Sequence, residues 1–355
     1  MRRMALAVLV GAALVPAVAS PAAGKVPRGF FGVVPQASLR AADFDRMQGM
    51  GLSVRVPIYW YEVEPRPGEY EFAALDRTVE EATRVGARVL PVVFGSPSWL
   101  EPEAARPPLG PALSSWREFL ARLVQRYGPH GELWSEDPNG TPLHRWQIWN
   151  EPNFPLFWRP RPSPRGYARL LHAAATVIRA KDRGATIIAA GVAPVEVGMA
   201  PWTFLRRLYR VPGARRDFDV AALHPYAPYL GWVREEIGLV RSAMAAGGDR
   251  DKPLQLTELG VASDGTFPSA FDKGLTGQAA FLRRVLRLVA DNRHRWRIAG
   301  ADWFTWQDSS AADPHCVFCE FAGLFDASGE PKPAWAAFRS VVAAAPPGMQ
   351  PRIRH

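Results

Sequence analysis

The stretch Leu143-His144-Arg145-Trp146-Gln147-Ile148-Trp149-Asn150-Glu151-Pro152-Asn153 decides how this chain is read. Its first six residues form an apolar run that reads as a buried strand. Asn150 and Glu151 stand at the strand's exit, after Trp149. A carboxylate there, beside an amide and among aromatic residues, is placed to hand a proton to a bound molecule. Far downstream, Pro253-Leu254-Gln255-Leu256-Thr257-Glu258-Leu259-Gly260 repeats the arrangement: an apolar strand that ends in an acid.

Working outward from these strands, the same unit recurs along the chain. Phe30 to Val34 reads as a first strand and Leu39 to Met50 as a helix. Leu52 to Pro57 is a second strand. Phe72 to Val85 follows with helical spacing: Ala74, Leu75, Thr78, Val79 and Ala82 share one side. Gly86 is a helix stop. Arg88 to Phe94 is a third strand, with Pro111 to Tyr127 as its helix. The Glu151 strand is followed by a helix from Pro164 to Lys181. Thr186 to Ala190, Phe218 to Leu223, the Glu258 strand and Ile298 to Phe304 complete the strands. Their helices fall near Pro201 to Tyr209, Val233 to Ala246, Gly277 to Ala290 and Lys332 to Ala345. Eight strand–helix units in strict alternation predict a single-domain (β/α)8 barrel, α/β in class, over residues 28–346. A doubly wound open sheet would show a glycine-rich phosphate turn after its first strand, and this chain has none.

Composition agrees with one large core. The chain has 355 residues, 48% of them hydrophobic and 22% charged. Arg2 and Arg3 precede an apolar run from Ala5 to Val18, and Ala17-Val18-Ala19 resembles a signal-peptidase site. Residues 1–19 therefore read as a secretory signal, and the protein is expected to be secreted, at the cell surface or periplasmic. An uncleaved anchor competes with that reading. The run holds Gly11 and Pro16, however, and is short for a span of ~20 residues. Residues 347–355 read as a disordered tail. Export makes a disulfide between Cys316 and Cys319 the expected state of the two cysteines.

The net charge is +9, carried almost wholly by arginine, since only five of 43 basic residues are lysine. Arginine scattered through helices, with abundant Ala and Pro, looks like a compositional bias. Attraction to an acidic polysaccharide or a cell surface is the functional alternative. No basic run with interleaved aromatic residues points to nucleic acid. No further apolar run points to a membrane.

In a barrel the strand ends meet at one mouth, so the residues there predict the site. Arg55 lies near the end of the second strand, with Tyr59, Trp60 and Tyr61 just beyond. Trp99 follows the third strand. Asn150 and Glu151 follow the fourth, His224 and Tyr226 the sixth, Glu258 ends the seventh, and Trp306 follows the eighth. Flat rings, carboxylates and hydrogen-bonding groups in one place suit a sugar. Two carboxylates on separate strand ends suit cleavage of a glycosidic bond. Glu62, Glu64 and Glu101 are rival carboxylates in the loops.

The combination resembles the glycoside hydrolases of clan A over nearly the whole mature chain. Gly51-Leu52-Ser53-Val54-Arg55-Val56-Pro57-Ile58-Tyr59-Trp60 looks like the clan's second-strand pattern, and Glu64-Pro65, Gly68-Glu69-Tyr70 and Leu75-Asp76 look like its continuation. Trp149-Asn150-Glu151-Pro152-Asn153 is similar to the acid/base motif. His224-Pro225-Tyr226 matches the sixth-strand motif, and Thr257-Glu258 with Gly260 matches the nucleophile strand. Gly323-Leu324-Phe325-Asp326 and Pro331-Lys332-Pro333-Ala334-Trp335 resemble the last turn and helix. Families 39 and 5 look closest.

The resemblance implies roles. Glu151 would be the general acid and then the base, and Glu258 the nucleophile. Arg55 would be the counter-ion of Glu258, Tyr226 a hydrogen-bond donor to it, and Asn150 a ligand of the sugar's 2-hydroxyl. His224 and Trp306 would line the reacting subsite, and Trp60 and Trp99 would contact substrate. Retention of configuration would place the two carboxyls ~5–5.5 Å apart. No metal or cofactor is expected, and the expected partner is an oligo- or polysaccharide. A catalytically silent barrel that binds polysaccharide is the alternative from another class. The sugar, the linkage and the oligomeric state are left open by the residues.

Overall fold

A parallel strand pair needs a long crossover, and an amphipathic helix is the usual one. Repeated eight times, the unit bends its sheet until the last strand meets the first. The computed structural model describes residues 25–345, apart from 136, 138–139, 266–268, 310–315 and 317. The expected leader and tail lie outside the described residues.

The strands are β1 (Phe31–Val34), β2 (Ser53–Tyr59), β3 (Arg88–Phe94), β4 (Arg145–Ile148), β5 (Thr186–Val192), β6 (Val220–Leu223), β7 (Leu254–Leu259) and β8 (Ile298–Phe304). Each pairs in parallel with its sequence neighbour, and β8 returns to β1 through Phe31 to Val34 against Ala301 to Phe304. The barrel is closed, as the sequence predicts. Among the described residues the helices are α1 (Ala41–Met47), α2 (Trp60–Val63), α3 (Ala73–Arg84), α4 (Leu113–Tyr127), α5 (Pro164–Lys181), α6 (Pro201–Tyr209), α7 (Leu230–Ala246), α8 (Gly274–Trp296) and α9 (Pro333–Ala344). No helix among the described residues is long and apolar enough to cross a membrane.

Local chemistry sets the helix bounds. In α3, Leu75, Val79 and Ala82 recur one turn apart and are buried against the barrel. Helix α5 opens with Pro164, and the Ser163 hydroxyl accepts the Gly166 N–H at 3.1 Å, an N-cap that meets one orphan donor. Helix α8 runs past the expected end at Ala290 to Trp296. Arg293, His294 and Arg295 sit in its last turn, where positive charge suits the helix dipole, and Arg297 stops it at φ 52°. The four-residue α2 is an element the sequence reading lacks.

Strand alternation divides the barrel into two environments. Along β2, Val54, Val56 and Ile58 pack outward under the helices, and Trp60 continues that side just past the strand's end. Ser53 and Arg55 point inward, the first bonded to Asp302 of β8 and the second to Gln147 of β4. Leu90, Ile188, Val220 and Ala222 form a separate apolar cluster, one from each of β3 and β5 and two from β6. A polar layer also crosses the interior. Arg145 donates to Gln255 at 2.6 Å, and Gln255 donates to Asp302 at 3.1 Å. A further apolar cluster gathers Val34, Ala262, Phe304, Phe318, Cys319 and Ala322, with Tyr226 and Phe271 against it. Cys316 and Cys319 are bonded there, as the sequence reading expects.

Candidate active site

The inward side of β2 aims Arg55 at the barrel mouth, and all three arms of its guanidinium are used. Nε donates to Gln147 Oε1 at 2.7 Å, Nη2 to Asn150 Oδ1 at 2.9 Å, and Nη1 to Glu258 Oε1 at 2.5 Å. A planar fork held at three points cannot rotate, so its charge is fixed beside Glu258. Gln147 is itself anchored, donating to Thr257 at 3.2 Å and to the Ala189 carbonyl at 3.3 Å. The second oxygen of Glu258 accepts the Tyr226 hydroxyl.

Glu151 is held differently. Its backbone N–H donates to the Gly191 carbonyl at 3.0 Å, and Trp149 donates to Val93 at 2.9 Å. Both residues sit at positive φ, Trp149 at 70° and Glu151 at 38°. Non-glycine residues pay ~1–3 kcal/mol for such a backbone, and it persists only where the surroundings force it. Here the indole of Trp149 donates to the Phe157 carbonyl at 2.7 Å. Asn153 ties the same loop to Ala193, just past β5, and to Met199, just before α6. The result turns the Glu151 carboxyl toward His224, whose Nδ1 lies 2.6 Å from Oε1. The same Nδ1 lies 3.6 Å from Glu258.

His224 is fully buried, and its ring lies over the backbone of β5. A Cβ on Gly191 would come within 2.0 Å of Nε2. Only glycine leaves room for the imidazole at this point, so Gly191 fixes where the histidine, and through it Glu151, is placed.

One oxygen of Glu151 and one of Glu258 lie within 4.8 Å of each other, with His224 Nδ1 2.6 Å from the first carboxyl and 3.6 Å from the second. Paired carboxyls ~5–5.5 Å apart fit direct attack, whereas ~6.5–9.5 Å is needed to admit a water between them. The two acids are pushed in opposite directions. Burial raises the Glu151 carboxyl above its ordinary range, and Glu258 adds to this, although His224 acts against it. Burial opposes charge on Glu258 as well, but His224, Arg55 and Tyr226 outweigh it and hold the carboxyl below its ordinary range. Environments that separate the pKa values of two neighbouring acids assign one to give protons and the other to stay ionised. The trio of Glu151, His224 and Glu258 has metal-ligand chemistry too. Both oxygens of Glu258 already accept from donors, and one donor is a fixed cation. That set suits proton transfer better than metal binding.

Six sequence-predicted residues therefore meet: Arg55, Asn150, Glu151, His224, Tyr226 and Glu258. The tryptophans do not join them. Trp60 is fully buried on the outward side, stacked on Phe119 at 5.1 Å and donating to Glu64 at 2.7 Å. Trp306 is 1% exposed and packs on Phe325 at 4.7 Å and Trp335 at 5.5 Å, toward α9. It lines a cavity of about 260 Å³ between the loops after β1 and β8, which none of the six residues lines. Both rings thus stand apart from the six residues, Trp60 under the helices and Trp306 beside a cavity that the six do not line. Trp99 is partly buried, edge-on to Trp60 at 5.9 Å, and donates to the Glu64 carbonyl. Glu64 closes the turn at Gly68, and Glu101 faces Arg106 at 3.8 Å.

Gln147, Gly191 and Phe304 belong to the site but are missed by the sequence reading, which names Tyr59 only as a ring beyond the second strand and Thr257 only as part of the nucleophile strand. Gln147 and Thr257 were legible as polar residues inside apolar strands. Phe304, the last inward residue of β8, meets Tyr226 edge-on at 5.9 Å. Tyr59 lies where the charges of Arg55 and Glu258 reach its hydroxyl.

No family model matches the sequence, and no curated protein matches it. Solved structures do match. A family 39 glycoside hydrolase from Bacteroides cellulosilyticus aligns with a TM-score of 0.62 and 20% identity, over 90% of this chain and 63% of its own. A monomeric β-xylosidase from Caulobacter crescentus aligns at 0.65 and 20%, over 91% and 69%. GH5_18 from Streptomyces cattleya, solved in complex with GlcNAc, aligns at 0.67 and 19%, over 93% and 83%. These are the two families the sequence resembles. At such identities the likeness is one of fold, and function must be argued from the site.

Proposed function

We propose that this chain is a retaining glycoside hydrolase that cuts β-linked oligo- or polysaccharides by double displacement. The observation that carries the reading is the pair of buried carboxyls, with one oxygen of each within 4.8 Å of the other, one carboxyl held by Arg55 and Tyr226 and the other by His224. Glu258 attacks the anomeric carbon while the C–O bond to the leaving group breaks, and the Glu151 proton passes to the leaving oxygen. A glycosyl ester on Glu258 results. Water then attacks the same carbon, Glu151 takes its proton, and Glu258 leaves as the carboxylate.

His224 serves both half-reactions. Its Nδ1, 2.6 Å from Glu151 Oε1, holds the carboxyl in one place while the Glu151 proton goes to the leaving oxygen and is later regained from water. Asn150, fixed by Arg55, is available to the sugar's 2-hydroxyl. The β-linkage is supported by the β-xylosidase among the structural neighbours. Export is supported by the basic and apolar N-terminus and by the Cys316–Cys319 bond.

The test is turnover of aryl β-glycosides and β-linked oligosaccharides by wild type and Glu258→Gln. The variant should lose activity by about 10⁴-fold. Proton NMR should show the β-anomer as first product, and a 2-fluoro glycosyl inactivator should label Glu258. Binding without turnover on every substrate would favour the silent barrel. Inversion would refute the mechanism.

A further inference from the structure

Beside the carboxyls, a row of half-buried rings rises from the ends of β2 and β3. Tyr59 and Tyr61 are stacked, with centroids 5.3 Å apart and planes at 30°. Tyr59 touches Phe94 at 4.9 Å, and Phe94 touches Phe157 at 6.3 Å. Tyr61, at the outer end, is 37% exposed. Its ring is fixed from below. The Tyr61 N–H donates to the Gly95 carbonyl at 3.2 Å. Gly95 itself sits at φ +83°, and a Cβ there would lie 3.0 Å from the tyrosine ring. Glycine at this turn lets the ring rest on the strand end. A ring already in place loses little freedom when a ligand arrives. Burial pushes the Tyr61 hydroxyl up to about 12, so it is a donor at neutral pH.

We propose that Tyr61, backed by Tyr59 and seated on Gly95, is a stacking platform for a second, neutral sugar unit beside the one whose bond is cut. The inference rests on the glycosidase reading and adds a specificity determinant to it. The flat exposed ring matches the C–H face of a pyranose. The tyrosine hydroxyl offers a proton to a sugar oxygen. Glu62, the next residue in the chain, sets a carboxyl beside the platform and disfavours an anionic unit there.

The experiment has two arms. In the Glu258→Gln protein, which retains the cleft, xylotriose, cellotriose and mannotriose are titrated by calorimetry with and without Tyr61→Ala. Dissociation constants for the bound trisaccharide should rise about tenfold, the worth of one good stacking contact. Tyr61→Trp should restore binding, and Gly95→Ala, which displaces the ring, should weaken it. In the active protein, Tyr61→Ala should lower kcat/KM about tenfold more for the trisaccharide than for the aryl monoglycoside of the same sugar. Unchanged trisaccharide affinity, equal losses on both substrates, or no trisaccharide binding at all would overturn the platform. Failure of wild type to turn over any glycoside would instead sink the glycosidase reading, while the calorimetric arm still judges the platform.

Discussion

Replacing Asp302 by asparagine should make the barrel more stable at pH 8 and less stable at pH 4. Asp302 is fully buried in the polar layer beneath the site, accepting from Ser53 and, at 3.1 Å, from Gln255. Burial pushes its carboxyl from 3.8 up to about 6, against the pull of those hydrogen bonds and of Arg55 and Arg145. Between those two values the folded chain keeps a proton that the unfolded chain has released. Stability from this group is therefore full below pH 3.8 and falls as pH rises to about 6. The difference of about 2.2 in pKa, at about 1.36 kcal/mol per unit, is worth about 3 kcal/mol above pH 6. Asparagine never ionises, so it avoids that loss. It can accept from Gln255 but leaves Ser53 without its acceptor, a cost of about 1 kcal/mol at every pH. Urea unfolding of both proteins at intervals from pH 4 to pH 8 gives the difference directly. The variant should start about 0.5 kcal/mol below wild type at pH 4 and end about 2 kcal/mol above it at pH 8. A difference that stays flat across the range, or that favours wild type at pH 8, would refute the idea of a strained buried charge.

Other outcomes follow from the same geometry. The pH–rate profile should be a bell: activity rises as Glu258 ionises below the ordinary carboxylate range and falls as Glu151, held above it, loses its proton. Glu151→Gln should flatten the alkaline limb with an activated aryl leaving group. Gly191→Ala would drive a Cβ into His224, so kcat/KM should drop about a hundredfold and the melting temperature should fall with it. Trp306→Phe should cost about 1–3 kcal/mol in unfolding while kcat/KM stays within about twofold, because the ring packs toward α9 rather than toward sugar.

Much of the barrel was legible because its strands are short apolar runs bounded by turn residues, and period-2 and period-3.6 patterns alternate without a break. The two acids were legible because each closes such a run. What eluded the reading was the facing of aromatic residues at strand ends. Counting inward positions from Arg55 gives Pro57 and Tyr59, so Trp60 must point outward; a one-residue step changes the face. Trp60 was taken for a sugar contact because it lies just beyond the strand, whereas Tyr59, one residue earlier and on the inward side, was noted there but given no role. Trp306 lies two residues past Phe304, where the strand's alternation no longer governs the chain. Gly191 was invisible for another reason. Its role depends on an imidazole from the neighbouring strand lying across it, which no local pattern encodes.

Cys316 and Cys319 influence chemistry they do not touch. Phe318 lies within the short ring their sulfurs close, and it leans on Phe271 at 4.8 Å and on Tyr226 at 5.0 Å. Tyr226 in turn steadies the acid that would form the covalent intermediate. A thiol-rich medium would unlatch that ring and leave the tyrosine with a looser neighbour. The firmest seat for Tyr226 thus belongs to the oxidised chain.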